Sequence, residues 1–125
     1  MKQWMRDARV QIAVVERFSA AHHLPGHPKC GKVHGHNYRV MVKLRAHISE
    51  LGENGMLADF GKVKKTLRKV LVKYDHSDLN ERIEVPTVEN LAIRLLVEMR
   101  HYFPQVYAIK IWETEDSWCE VSLPG

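Results

Sequence analysis

The sequence predicts an α+β domain. Two stretches of alternating apolar residues come first, two stretches with helical spacing follow, and two short alternating stretches close the chain, in the order β-β-α-α-β-β. A length of 125 residues fits a single domain, expected over residues 1–125 with a short tail at 1–8.

Each element has its own signal. From Val10, the residues Val10, Ile12 and Val14 share one face of an extended segment that runs into Phe18–Ala21. Pro25, Gly26, Pro28 and Gly31 make residues 23–33 a loop. Alternation then returns, with Tyr38, Val40, Val42 and Leu44 opposite Arg39, Met41, Lys43 and Arg45. That pattern suits an antiparallel sheet with one side wet or lightly covered. Gly52 and Gly55 punctuate the next turn. Asp59 is placed to cap a helix in which Phe60, Val63, Leu67, Val70, Leu71 and Tyr74 recur every three or four residues, so the helix should reach about Lys73. A loop over 75–86 follows. Thr87 caps a second amphipathic helix carrying Val88, Leu91, Leu95 and Met99, with Glu89 against the positive end of its dipole. Strands near Tyr107–Thr114 and Ser117–Ser122 complete a four-stranded antiparallel sheet with both helices on one face. Its open edges invite closure by oligomerisation.

Composition narrows the function classes. Hydrophobic residues at 45% and charged residues at 27% describe a folded globular chain, not a disordered one. No apolar run approaches the roughly 20 residues of a membrane-spanning helix, and the first ten residues lack a secretory apolar core, so the expected location is cytoplasmic. Nineteen basic against fifteen acidic residues give a net charge of +4. The densest basic run, Lys62–Lys69, reads as the solvated face of a helix, and no nucleic-acid partner is expected. Cys30 and Cys119 are too few for a disulfide framework and are expected to be reduced.

Histidine is the unusual count: eight in the chain, five of them between positions 22 and 36. His34 and His36 stand two apart at the start of a strand, so their rings project to one face about 6.6 Å apart. Gly35 between them removes a side chain where something must approach. His22 ends the preceding strand, and a hairpin would bring it opposite that pair. Three imidazoles with an open fourth position match a catalytic zinc site, whereas a structural site fills all four. Cys30 is either that fourth ligand or a free thiol whose pKa a nearby cation would lower. His23 and His27 read as solvated loop residues, and His47 and His101 carry no functional signal. Asp75-His76 is either a carboxylate-oriented proton carrier or a helix end beside a turn. Glu113 is either a solvated strand end or a carboxylate for two parallel N–H donors.

Taken together, Phe18-Ser-Ala-Ala-His22, Cys30-x3-His34-Gly-His36-Asn-Tyr38, Gly55-Met-Leu-Ala-Asp59, Asp75-His76-x2-Leu79-Asn80, Pro86-Thr-Val-Glu89-Asn90 and Trp112-Glu113-Thr114 resemble the 6-pyruvoyl-tetrahydropterin synthase family. Three residues between the cysteine and the first histidine resemble its bacterial 6-carboxy-5,6,7,8-tetrahydropterin synthase branch, of queuosine biosynthesis. Animal pyruvoyl-forming members have a longer spacer, and a third branch carries Glu near the position of Cys30. The segment after Thr114 departs from the family pattern. The resemblance implies the tunnelling fold, with subunits joined through their sheets into a barrel, as a homohexamer of two trimers with active sites between subunits. It implies Zn²⁺ on His22, His34 and His36, Cys30 as catalytic thiol, and Asp75 and His76 as proton-relay partners. Glu113 would anchor the pterin at the far end of the pocket from the metal, and Thr87 and Glu89 would line that pocket. The implied substrate is the small molecule 7,8-dihydroneopterin triphosphate, with Lys29, Lys32 and Arg39 as candidates for its phosphates.

Overall fold

The computed structural model describes residues 1–125. Its elements are β1 (Arg9–His22), β2 (His34–His47), α1 (Phe60–Leu71), β3 (Ser77–Asp78), α2 (Val88–Tyr102), β4 (Val106–Thr114) and β5 (Ser117–Ser122), with single 3-10 turns at Gln3–Met5, Ile48–Glu50 and Leu79–Glu81. No helix is long and apolar enough to cross a membrane.

The sheet order is β3-β1-β2-β4-β5. Four strands pair antiparallel as the alternation requires. The expected count of four is corrected to five, because Ser77–Asp78 pairs parallel to Ala20–Ala21 as the chain returns past the end of β1. Two residues hold no readable period, so tertiary placement alone creates this strand. β1 and β2 form the frame of the molecule. They pair without a break from Arg9 opposite His47 to His22 opposite His34. That register puts Val14, Phe18, Ala20 and His22 on the same covered face as Tyr38, Val40, Val42 and Leu44.

Both helices cover that face. Asp59 caps α1 by accepting the Lys62 N–H at 3.0 Å, and Thr87 Oγ1 caps α2 by accepting the Asn90 N–H at 3.1 Å. Val63, Leu67, Val70 and Leu71 of α1 and Leu91, Ala92, Leu95, Leu96 and Met99 of α2 are buried against the sheet. Each large aliphatic side chain so buried contributes about 1.5–3 kcal/mol. Phe18 stacks on Tyr38 with ring centroids 4.8 Å apart, fixing the strand pair just below its functional end.

α1 stops at Leu71, two residues short of the expected end. The N–H groups of Tyr74 and Asp75 both return to the Leu71 carbonyl, at 3.0 and 2.9 Å. This closing turn buries Tyr74 and sends Asp75 toward β1. At the other end of the sheet, the β4–β5 pairing slips between Trp112 and Thr114. Glu113 sits at that irregularity, two residues beyond buried Ile111 and on the same face.

Candidate metal centre and active site

The hairpin register sets His22 directly opposite His34, with His36 one step further along β2. One ring nitrogen from each of the three lies within 4.8 Å of the others. Backbone carbonyls decide which nitrogens these are. His22 Nδ1 meets the Pro86 carbonyl at 2.8 Å, and His34 Nδ1 meets the Lys32 carbonyl at 2.8 Å. A carbonyl only accepts, so each Nδ1 carries the proton and each neutral ring presents a bare Nε2. Those two Nε2 atoms face each other at 3.0 Å. Two lone pairs at that distance repel unless a cation lies between them, whether a shared proton or a metal ion. The third ring agrees: His36 Nε2 is buried with no hydrogen-bond partner. Burial chiefly holds the His36 pKa below its ordinary value, with the neighbouring rings of His22 and His34 acting the same way and Glu113 opposing. Three convergent imidazoles are a donor set that fits a divalent cation.

Glu113 borders this cluster. Its carboxylate oxygens lie 3.6 Å from His36 Nε2 and 4.0 Å from His22 Nε2, with a quarter of the side chain exposed. The expectation of a position remote from the metal is therefore corrected. Alternation along β4 from buried Ile109 and Ile111 puts the carboxylate on the same covered face as the histidines.

Cys30 lies outside the three-histidine cluster, partly buried on the loop between β1 and β2. His27, expected to be merely solvated, organises this loop: its Nδ1 accepts the N–H groups of Lys29 at 3.2 Å and Cys30 at 2.9 Å. Leu24 N–H donates to the Cys30 carbonyl at 2.7 Å, so the thiol-bearing residue is held from both sides. His23 is tied as well, through its N–H to Asn80 Oδ1 at 2.9 Å.

Asp75 and His76 form a bracket on β1. Asp75 Oδ1 accepts the Ser19 N–H at 2.9 Å, and the His76 N–H donates to the Ser19 carbonyl. His76 Nδ1 stands 3.0 Å from Asp75 Oδ1. The Ser19 N–H is the main reason the Asp75 carboxyl sits below the usual carboxylate range. His76 has φ +56°, a left-handed conformation that costs a non-glycine residue free energy, and its side chain is 82% exposed. The His76 N–H bond to Ser19 and the Asp75 side-chain bond to the same residue hold this conformation in place.

Two open clefts flank the end of the β1–β2 hairpin. One, of about 490 Å³, runs from Ser19 and Gly35 to His76 and includes His36. The other, of about 650 Å³, holds Arg17, Arg39, Trp112, Glu113 and again His36. Gly35 floors both. A side chain there would meet the Ala20 carbonyl at an ordinary 3.7 Å, so the fold does not require glycine and the clefts gain the space.

The sequence model of the family described as 6-pyruvoyl tetrahydropterin synthase matches residues 11–124. The chain belongs to this family. It is 44% identical, over 88% of its length and 93% of the relative's, to a putative 6-carboxy-5,6,7,8-tetrahydropterin synthase of Archaeoglobus fulgidus. It is 35% identical to a putative 6-pyruvoyl tetrahydrobiopterin synthase of Caenorhabditis elegans, covering 85% of this chain and 91% of that one. Among solved structures, the 6-pyruvoyl tetrahydropterin synthase of Caenorhabditis elegans superposes with a TM-score of 0.82 at 30% identity, over 95% of this chain and 99% of that chain. The subunit has the tunnelling-fold topology that the resemblance implies.

In this tetrahydropterin synthase family member the remaining expected site residues fall at the start of α2, on β2 and on the loop before it. Thr87 spends its hydroxyl on the α2 cap, and Glu89 is exposed near Cys119, whose thiol pKa is raised by burial first and by that carboxylate second. Arg39 lines the larger cleft, whereas Lys29 and Lys32 stand on the exposed loop. Three contributors escape the sequence reading. The Pro86 and Lys32 carbonyls carry no side-chain signal. Tyr38 does carry one, as the covered residue two positions beyond His36. It is 1% exposed, edge-on to His36 at 5.6 Å, and its hydroxyl has no partner. Burial, and then Glu113, push its pKa above the ordinary tyrosine value.

Proposed function

We propose that this protein is a zinc-dependent lyase that converts 7,8-dihydroneopterin triphosphate and water to 6-carboxy-5,6,7,8-tetrahydropterin, acetaldehyde and triphosphate, as in queuosine biosynthesis. The observation that carries the proposal is the convergence of three imidazoles, two with Nε2 left bare by backbone carbonyls, in a chain of this family. The 44% identity to a relative named as a 6-carboxytetrahydropterin synthase favours the carboxy product. The proposal includes a cytoplasmic homohexamer, consistent with open sheet edges at β5 and β3.

His22, His34 and His36 would hold the ion, and zinc bound there supplies Lewis-acid stabilisation to oxygens of the substrate side chain. The chain's own groups do the rest. Glu113 accepts the paired N–H donors of the pterin ring, a planar match to a carboxylate. Cys30, as thiolate, takes a proton from the side chain and allows it to tautomerise into the ring. His76, oriented by Asp75, returns protons as triphosphate departs with its electron pair. Water then adds to the carbonyl at the first side-chain carbon, the bond to the second carbon breaks with its electron pair going to that carbon, and protonation there releases acetaldehyde and leaves the carboxyl on the pterin.

The test is direct. Zinc-loaded protein is incubated with 7,8-dihydroneopterin triphosphate, and products are identified by mass, with acetaldehyde trapped as a hydrazone. A carboxylated pterin with stoichiometric acetaldehyde is expected. A pyruvoyl pterin without acetaldehyde would move the chain to the reaction named for the Caenorhabditis elegans relative. Bound but unchanged pterin would make it a non-catalytic binding protein.

A further inference from the structure

His22 is a candidate ligand at the last paired position of β1, where a ladder has nothing beyond it to hold its end. The chain leaves the sheet at His23 and enters the loop that carries Cys30. The segment 75–86 nevertheless follows β1 up to this point and past it. The Asp75 carboxylate and the His76 N–H grip Ser19, and Ser77 and Asp78 pair in parallel with Ala20 and Ala21. Further on, the Pro86 carbonyl accepts the Nδ1–H of His22.

Asn80 fills the gap in this series. Continued by two residues, the β1–β3 register would set Leu79 beside His22 and Asn80 beside His23. The backbone cannot continue, because Leu79–Glu81 turns into a 3-10 helix and Asp78 Oδ1 accepts the Asn80 N–H at 3.0 Å. The Asn80 side chain takes the place of the missing strand. Its Oδ1 accepts the His23 N–H at 2.9 Å, and its Nδ2 donates to the His23 carbonyl at 3.1 Å. An amide presents an acceptor and a donor side by side, as a neighbouring strand does, whereas aspartate of the same shape keeps only the acceptor. The reaction proposed above gives Asn80 no task.

We propose that Asn80 is a positioning residue for the metal centre: its side-chain amide extends the sheet by one residue and holds His22 in the orientation the ion requires. This rests on the reading of His22, His34 and His36 as metal ligands. In this role Asn80 touches neither ion nor substrate. It makes the ligand ready before the ion arrives, so that binding does not have to order the end of β1.

Zinc affinity is measured by competition with a chromogenic chelator for the parent protein, Asn80→Ala and Asn80→Asp. Urea unfolding of the same proteins without metal establishes that each is folded where its affinity is read. Asn80→Ala should bind zinc about 10–100-fold more weakly, the usual effect of removing a group that orients a metal ligand. Asn80→Asp keeps the His23 N–H bond but sets a carboxylate against the His23 carbonyl, and should lose about tenfold. The sign is diagnostic, because an added negative charge acting only through its field would tighten cation binding. Co²⁺ in place of zinc gives visible bands that report ligand geometry, and these should change in both variants. Unchanged zinc affinity in the folded variants would overturn the proposal in favour of a purely structural amide, whatever the urea midpoints show. Tighter zinc binding by Asn80→Asp would overturn it too, as would an unchanged cobalt spectrum, which would place the loss outside the ligand geometry. If Asn80→Ala does not fold, the isosteric Asn80→Asp decides alone. Each of these results, in a parent that binds zinc, defeats this inference alone. A parent protein that binds no zinc would defeat the metal reading with it.

Discussion

Replacing Glu113 by Gln removes one charge at nearly constant volume, at the residue where expectation and geometry differ most. The carboxylate lies 3.6 and 4.0 Å from two of the ring nitrogens that converge on the cation site, so it acts on the ion as well as on the ligand. Two effects follow, and they can be measured apart. For the ion, loss of a carboxylate adjoining the ligands typically weakens metal binding 10–100-fold, about 1.4–2.7 kcal/mol. For the pterin, the amide sets a donor against a donor and leaves a ligand N–H unpaired, a loss of about 2–3 kcal/mol or roughly 30-fold and more. Competition with a chromogenic chelator reads the first effect. A pterin titration at saturating zinc reads the second without interference from the first. Pterin affinity unchanged at metal saturation would refute the anchor role whatever the metal does. Metal affinity unchanged beside a weakened pterin would refute the coupling to the histidines.

Three further outcomes are expected. His34→Ala and His36→Ala should each reduce zinc from near one per subunit to near zero by elemental analysis, because two imidazoles do not make the site; retained zinc in both would place the ion elsewhere. Cys30→Ala should keep zinc and pterin binding while product formation falls about 10²–10⁴-fold, and loss of zinc in that variant would make the thiol a ligand. Asp75 has its folded pKa below the ordinary 3.8, so its stabilising effect is present above that pH and is lost as pH falls through the folded value. Wild-type urea midpoints should thus drop more steeply below about pH 4 than those of Asp75→Asn, and identical acid profiles would remove the Ser19 bracket from the account.

The three candidate metal ligands are legible because their positions follow from strand periods. Once Val14 and Phe18 share a face with Tyr38 and Val40, the histidines share that face too, and the observed register puts His22 across from His34. The same logic yields both helices and their caps, since Asp59 and Thr87 stand immediately before apolar repeats. What stayed hidden lacks a period. β3 is two residues long, and the slip at Glu113 is a local change of register that nothing in Trp112-Glu113-Thr114 announces.

The deepest omission is the backbone. Histidine spacing says that three rings can meet; it does not say which nitrogen of each ring will be bare. That choice is made by the Pro86 carbonyl, 64 residues from His22, and by the Lys32 carbonyl at the mouth of the loop. Neither carbonyl is announced by a side chain, since any residue supplies the same group. Pro86 nevertheless has a specific use, because it ends the 75–86 loop just before the α2 cap and so points its carbonyl from a rigid position. A substitution that shifts the start of α2 would therefore disturb the tautomer of His22 without touching a ligand. Ligand identity is a property of the sequence, and ligand readiness is a property of how the loops close over it.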